Sequence, residues 1–168
     1  MTKILMVCLG NICRSPMAQA VLLHHVNRLH PSRLATPVAV ESAGTQAGLL
    51  GQPPDPRARA ALARRGYALP GDLSRRISEA DFERFDLILA MDRDNIKQLL
   101  RRCPDEHASK IQLFLDFATD LAEDEIPDPY YGSAQGFERV LDLCEAGAKG
   151  LVAAIEGGAV AGSLSARS

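Results

Sequence analysis

At 168 residues, with 46% hydrophobic, 24% charged and a formal net charge of −2, the chain has the make-up of one ordinary globular domain. The near-neutral balance argues against a broad nucleic-acid-binding surface, and no apolar run approaches membrane-spanning length. Met1–Val7 is too short for the apolar region of a signal peptide; with four cysteines and no export signal, a reduced, cytoplasmic and monomeric protein is expected.

Lys3–Cys8 is an apolar run that reads as a buried strand, and Ala18, Leu22, Val26 and Leu29 then recur at helical spacing up to His30-Pro31. Val38–Ala43 alternates like a second strand and leads through Ser42-Ala43-Gly44-Thr45 into a loop from Gln46 to Pro54 rich in Gly and Pro. Asp55-Pro56 starts a helix that Gly66 stops. Ser78-x-x-Asp81 is a capping-box signal for a short helix carrying Phe82 and Phe85. Asp86–Met91 is a third apolar strand. Asp92 is placed to cap the next helix, whose face is Ile96, Leu99, Leu100 and Cys103.

Lys110–Phe114 reads as the fourth strand, and acidic residues from Asp116 to Asp128 surround a loop that ends Pro127-Asp128-Pro129-Tyr130-Tyr131-Gly132. The last helix carries Phe137, Val140, Leu141, Cys144, Ala148, Leu151, Val152 and Ile155 on one stripe, and Gly157-Gly158 ends it. The domain is therefore expected over residues 1–156, with a disordered tail over 157–168. Strands alternating with helices predict an α/β fold: a four-stranded, doubly wound parallel sheet in three α/β/α layers. In such sheets ligands bind beyond the carboxyl ends of the strands, where the segment after the first strand lies.

That segment reads Cys8-Leu9-Gly10-Asn11-Ile12-Cys13-Arg14-Ser15. It sets a thiol and a guanidinium around a loop about the size of one phosphate. A helix N-terminus and a nearby arginine both favour thiolate over thiol, and Arg14 can bond two phosphate oxygens at once. Lowering a cysteine pKa from 8.5 by about two units asks the loop for roughly 2.7 kcal/mol, which the helix end, Arg14 and the Ser15 hydroxyl can supply together. Gly10 and Asn11 tolerate left-handed backbone, and Pro16 suits a first helical turn. The chemistry implied is phosphoryl transfer through a cysteinyl-phosphate. A bare Cys-x5-Arg is also compatible with a buried strand end and a solvated arginine. No paired Cys-x2-Cys knuckle is present, so no metal and no cofactor are expected, and Cys103 and Cys144 read as small core residues. His24 and His25 read as surface or packing residues.

With VCLGNICRSPMA near the N-terminus, SAGT at Ser42–Thr45, FDLILAMDRDN at Phe85–Asn95 and PDPYYG at Pro127–Gly132, the chain resembles the low-molecular-weight protein tyrosine phosphatases. The resemblance spans roughly residues 3 to 156. It implies a phosphotyrosine-protein phosphatase, also active on small aryl phosphates, with Cys8 as nucleophile, Arg14 as phosphate clamp and Asp128 as general acid. Leu9, Gly10, Asn11, Ile12, Cys13, Arg14 and Ser15 would then cradle phosphate or another oxyanion, braced by Asn11, Ser15 and Ser42. A histidine usually completes that brace; Asp72 stands in its place here.

By the same resemblance, Leu9, Tyr130 and Tyr131 wall the aryl pocket, and Gly48 followed by Leu49-Leu50 occupies the wall where relatives place an aromatic residue. Cys13 can form a disulfide with an oxidised nucleophile. The substrate expected is a tyrosine-phosphorylated protein. Arsenate reductase and protein-arginine phosphatase are the alternatives on the same fold. The first relays oxidation through further cysteines that Phe85–Asn95 lacks, and the second carries threonine where this chain has Ile12. A catalytically silent phosphate-binding module would need neither nucleophile nor acid.

Overall fold

β1 (Thr2–Cys8) lies between β2 (Val38–Gly44) and β3 (Leu87–Ala90), and β4 (Ile111–Leu113) completes the order β2-β1-β3-β4, every pair parallel. This computed structural model describes residues 1–46, 48, 50–158 and 160. Side chains alternate across the sheet, so Ile4 and Met6 of β1 enter one apolar cluster while Leu5 and Val7 enter another. Helices α1 (Arg14–Asn27), α2 (Pro56–Arg64) and α5 (Ala134–Glu156) cover the first face, contributing Met17, Leu62 and Leu141. On the second face lie α3 (Glu79–Arg84) and α4 (Arg93–Arg102), with Phe82 and Leu99. The expected three-layer, doubly wound sheet is the observed one. Its central strand β1 has neighbours reached in opposite directions, which opens a crevice at its carboxyl end.

Local chemistry sets the element ends. The Asp55 carboxylate accepts the Arg57 N–H at 2.8 Å to cap α2. At the front of α3, Asp81 accepts the Ser78 N–H at 2.8 Å. The helix α1 ends at Asn27, short of His30-Pro31, because the Arg28 N–H turns to the His25 carbonyl. The stripe of α5 is buried as its period predicts. A Cβ at Gly150 of α5 would lie 1.7 Å from the Phe117 carbonyl oxygen, so this helix accepts the turn after β4 only where it has no side chain.

Several expectations need correction, including the third strand, which is Leu87–Ala90 rather than Asp86–Met91. The fourth strand is Ile111–Leu113 rather than Lys110–Phe114, since Phe114 already begins a 3-10 turn over Phe114–Phe117. Leu100 is exposed while Leu99 is fully buried; Cys103 is only half-buried, with its thiol on the Pro104 carbonyl at 3.2 Å. Only the Cys144 half of the core-cysteine assignment holds. Of the tail expected to be disordered, Gly157, Gly158 and Val160 fall among the described residues, and Val160 packs into the core. No helix among the described residues is long and apolar enough to cross a membrane.

Candidate active site

The chain leaves β1 at Cys8 and enters α1 at Arg14, so five residues turn through the crevice. Asn11 makes that turn with φ of +59°, a left-handed backbone that asparagine tolerates better than most residues. Gly44 of β2 is the floor: a Cβ there would meet the Leu9 carbonyl oxygen at 2.7 Å. The Asn11 N–H points to Cys8 Sγ at 3.2 Å, and Ser15 Oγ lies 3.1 Å from the same sulfur. Asn11 Nδ2 donates to Ser15 Oγ at 2.8 Å and to Ser42 Oγ at 3.0 Å. Ser15 Oγ thus accepts from Asn11, and its own hydrogen faces the sulfur at 3.1 Å and the Ala43 carbonyl at 3.5 Å.

The brace expected from Asn11, Ser15 and Ser42 is assembled, but Asp72 is not part of it. Its carboxylate accepts from Gln19 Nε2 at 2.8 Å, and the place at Asn11 Oδ1 is taken by the Arg75 backbone N–H at 2.9 Å. Since a main-chain group closes the network, the residue at position 72 is released from it.

Arg14 is buried, and its guanidinium is fixed from behind. Nη1 donates to Asp92 Oδ2 at 2.5 Å and to the Ile126 carbonyl at 2.9 Å, while Nη2 lies 3.6 Å from Asp128 Oδ2. Burial works against its charge, but Cys8, Asp92 and Asp128 outweigh it and move the pKa up, so Arg14 stays cationic. Sequence reading gave Asp92 only a capping role. It does cap α4, accepting the Asn95 N–H on Oδ1 at 2.8 Å, and its other oxygen holds Arg14.

Asp128 faces this pair from the acidic loop, with Oδ1 accepting the Tyr130 N–H at 3.1 Å. The resulting cleft, about 200 Å³, is lined by the phosphate loop, Gly48, Asp128, Tyr130 and Tyr131. The two tyrosine rings meet edge to face at 4.9 Å. Gly48 lines the same cleft, with nothing but its chain neighbours within 4 Å of where a Cβ would sit. Leu49, also expected there, lies outside the described residues. Cys13 is buried in the loop; burial first, then the charges of Asp55, Cys8 and Asp128, push its thiol up to about 12. Among the described residues no cluster of three or more His, Cys, Asp or Glu is placed to hold a metal ion. As expected, His24 and His25 pack: His24 stands edge-on to Tyr67 and His25 lies on its own helix's Val21 carbonyl.

Residues 3–160 match the family model for low molecular weight phosphotyrosine protein phosphatases. The chain belongs to that family. It is 39% identical over 156 residues to a low molecular weight protein-tyrosine-phosphatase of Streptomyces coelicolor, covering 91% of this chain and 93% of that one. Among solved structures, a protein tyrosine phosphatase from Entamoeba histolytica with Hepes in the active site superimposes with a TM-score of 0.88 at 42% identity, covering 95% of this chain and 99% of that one. YfkJ from Bacillus subtilis superimposes with a TM-score of 0.84 at 37% identity over 94% and 96%. By its family this chain is a phosphatase, an enzyme that hydrolyses phosphate monoesters.

Proposed function

We propose that this phosphatase cleaves phosphotyrosine, on proteins and in small aryl phosphates, through a cysteinyl-phosphate on Cys8. The observation that carries the reading is the convergence of Cys8 Sγ, the tethered Arg14 guanidinium and the Asp128 carboxylate on one cleft walled by Tyr130 and Tyr131. The Cys8 thiolate attacks phosphorus while Arg14 and the loop N–H groups hold the non-bridging oxygens. The bond from phosphorus to the phenol oxygen breaks, and Asp128 gives its proton to the departing phenolate. The same carboxylate then takes a proton from water, which attacks phosphorus; the P–S bond breaks and phosphate leaves. The Ser15 hydroxyl, 3.1 Å away, stabilises the thiolate at both ends of the cycle.

Binding alone would need neither thiol nor acid. A relay of thiols, as arsenate reduction requires, finds no support in the fold: Cys103 and Cys144 pack on opposite faces of the sheet. Ile12 gives the cleft an apolar side chain where an arginine phosphatase carries threonine. The reading also includes a monomer acting in the cytoplasm, where a nucleophilic thiolate survives, and a redox response in which Cys13 captures an oxidised Cys8.

Asp128→Ala is the test. A general acid matters most for a basic leaving group, and the phenol of tyrosine has a pKa near 10. Cleavage of phosphotyrosine peptides should slow by roughly 10²–10⁴-fold, and Cys8 phosphorylation by the ester of a strongly acidic phenol should slow far less. Equal slowing of both esters at that step would assign proton transfer to another residue.

A further inference from the structure

No sequence motif singles out Arg57, yet it joins the two halves of the site. It is the second residue of α2, directly after the start that Asp55 caps. The Asp55 N–H donates to the Ile12 carbonyl at 2.8 Å, which ties this corner to the phosphate loop. Arg57 grips the Asp55 carboxylate with its fork, Nε to Oδ1 at 3.1 Å and Nη2 to Oδ2 at 3.0 Å. Its remaining donors reach across the cleft to the acid loop, Nη2 to the Tyr130 carbonyl at 2.9 Å and Nη1 to the Gly132 carbonyl at 3.5 Å. The cation also lies over two rings, 5.5 Å from the centre of Tyr130 and 4.7 Å from that of Phe137 in the first turn of α5.

The Tyr130 residue is thereby held at both of its backbone polar groups. Its carbonyl accepts from Arg57, and its N–H donates to Asp128 Oδ1. Asp128 itself is 40% exposed, on a loop whose acidic neighbours pair outward with Arg93 and Arg139. Inward, the loop is anchored at Ile126, whose N–H donates to the Met91 carbonyl at 2.8 Å and whose carbonyl accepts from Arg14, and Asp128 Oδ2 lies 3.6 Å from Arg14 Nη2; beyond Asp128 the link across the cleft is Arg57. We infer that Arg57 is a positioning residue, which fixes the Asp128 carboxylate and the Tyr130 wall at a set distance from Cys8 by linking acid loop to phosphate loop. The inference rests on Asp128 being the general acid. A planar fork suits the task, because it spans a carboxylate on one side and carbonyls on the other.

Misplacing a catalytic group by an ångström can cost two orders of magnitude. Arg57→Met keeps an unbranched stem and removes the fork, and should lower kcat on phosphotyrosine peptides by about 10–100-fold with little change in KM. The ester of a strongly acidic phenol should lose no more than about threefold at the Cys8 phosphorylation step. Arg57→Lys, with the charge but not the fork, should recover only part of the loss. In Asp128→Ala, adding Arg57→Met should slow phosphorylation little further, since both changes act through one proton. Arg64→Met, on the same helix and paired with Glu138, should leave both rates unchanged.

Equal loss on both esters, or additive losses in the double variant, would overturn the inference and leave Arg57 as a brace for folding. The leaving-group ratio is read within one protein, so if Arg57→Met does not fold, Arg57→Lys decides the matter alone. Asp128→Ala separates the two levels. If it slows both esters equally, the general-acid assignment falls; if it discriminates and the Arg57 variants do not, only the role of Arg57 falls.

Discussion

The phosphate loop and the acid loop meet across one cleft but are held in different ways. Asn11, Arg14 and Ser15 are buried, and each is tied by side-chain hydrogen bonds to groups on β2, on the segment before α3 or on Asp92 at the start of α4. Asp128 is half open, Tyr131 is 94% exposed, and the ties of that loop run through main-chain carbonyls and Arg57. On the proposed function, the loop that recognises one invariant tetrahedral anion is locked before the anion arrives, and the loop that admits varied phenols and polypeptides is pinned at one side and left accessible at the other. Preorganisation is concentrated where charge develops, which is where it yields most.

The largest expected effect breaks the buried half alone. Cys8→Ser should abolish turnover, because a serine hydroxyl here has no base to make it a nucleophile. The loop around it should persist, and calorimetry should still detect inorganic phosphate or a phosphotyrosine peptide binding. Chelators should leave the unmodified enzyme untouched. Activity lost to a chelator and restored by zinc or magnesium would put the chemistry elsewhere.

Asn11→Ala asks how much of the buried half depends on its brace. The change removes donors to Ser15 and Ser42 and strands the Arg75 N–H, and it places alanine at a φ of +59°. A buried polar group left without a partner costs about 1–3 kcal/mol, so the melting temperature should fall measurably. Turnover of every ester should drop together, with no leaving-group dependence, because the fault lies on the phosphate side. A loss confined to basic phenols would show that the two loops are not separable.

The same contrast governs what could be read without a structure. Cys8 to Ser15 is contiguous and carries its chemistry in side chains, so the loop and the thiol and guanidinium it brings to one cleft were legible together. The helix pattern and turn residues likewise gave the parallel, doubly wound sheet a firm basis in alternating β and α segments. What closes the site was not legible where it consists of backbone: the Arg75 N–H and the Ile126 carbonyl have no residue signature. Asp72 looked like the replacement for a brace residue because sequence cannot show that a main-chain donor already occupies that place. Asp92 was half legible, since a carboxylate before a helix signals a cap with one oxygen and is silent about the other. Leu100 was misassigned because α4 is short and lies against the edge of the sheet, where the buried stripe is narrower than its apolar period suggests.

Cys13 sharpens the comparison from inside the buried loop. Its raised pKa, about 12 against an ordinary 9.0, means that the folded chain holds a proton which the unfolded chain releases above pH 9. The stability it contributes is complete below pH 9 and is lost as pH rises towards 12. Denaturation midpoints should fall over that window, and Cys13→Ala should flatten part of the fall. At neutral pH the thiol is protonated, and on the proposed redox response it is the partner for an oxidised Cys8. Mild peroxide should convert Cys8 to its sulfenic acid, which condenses with Cys13 to a disulfide and releases water. Mass spectrometry should find the bond and thiols should reverse it. Cys13→Ala recovering from peroxide as fully as the unmodified enzyme would leave Cys13 as packing only.

The smallest effect belongs to the open half. A Cβ at Gly48 meets nothing within 4 Å apart from its two chain neighbours, so the cleft has open space where a side chain would begin. Gly48→Trp should supply the ring that this wall lacks opposite Tyr130 and Tyr131. An aromatic contact is worth about 0.5–1.5 kcal/mol, which would lower KM for aryl phosphates by roughly 2–10-fold. Inorganic phosphate has no ring to stack, so its inhibition constant should not move. Gly48→Ala should change neither value. If KM is unchanged or rises, the wall facing the tyrosines is formed by another segment. If phosphate inhibition shifts as well, the open wall reaches into the phosphate loop, and the division between a locked half and an adaptable half does not hold at this edge.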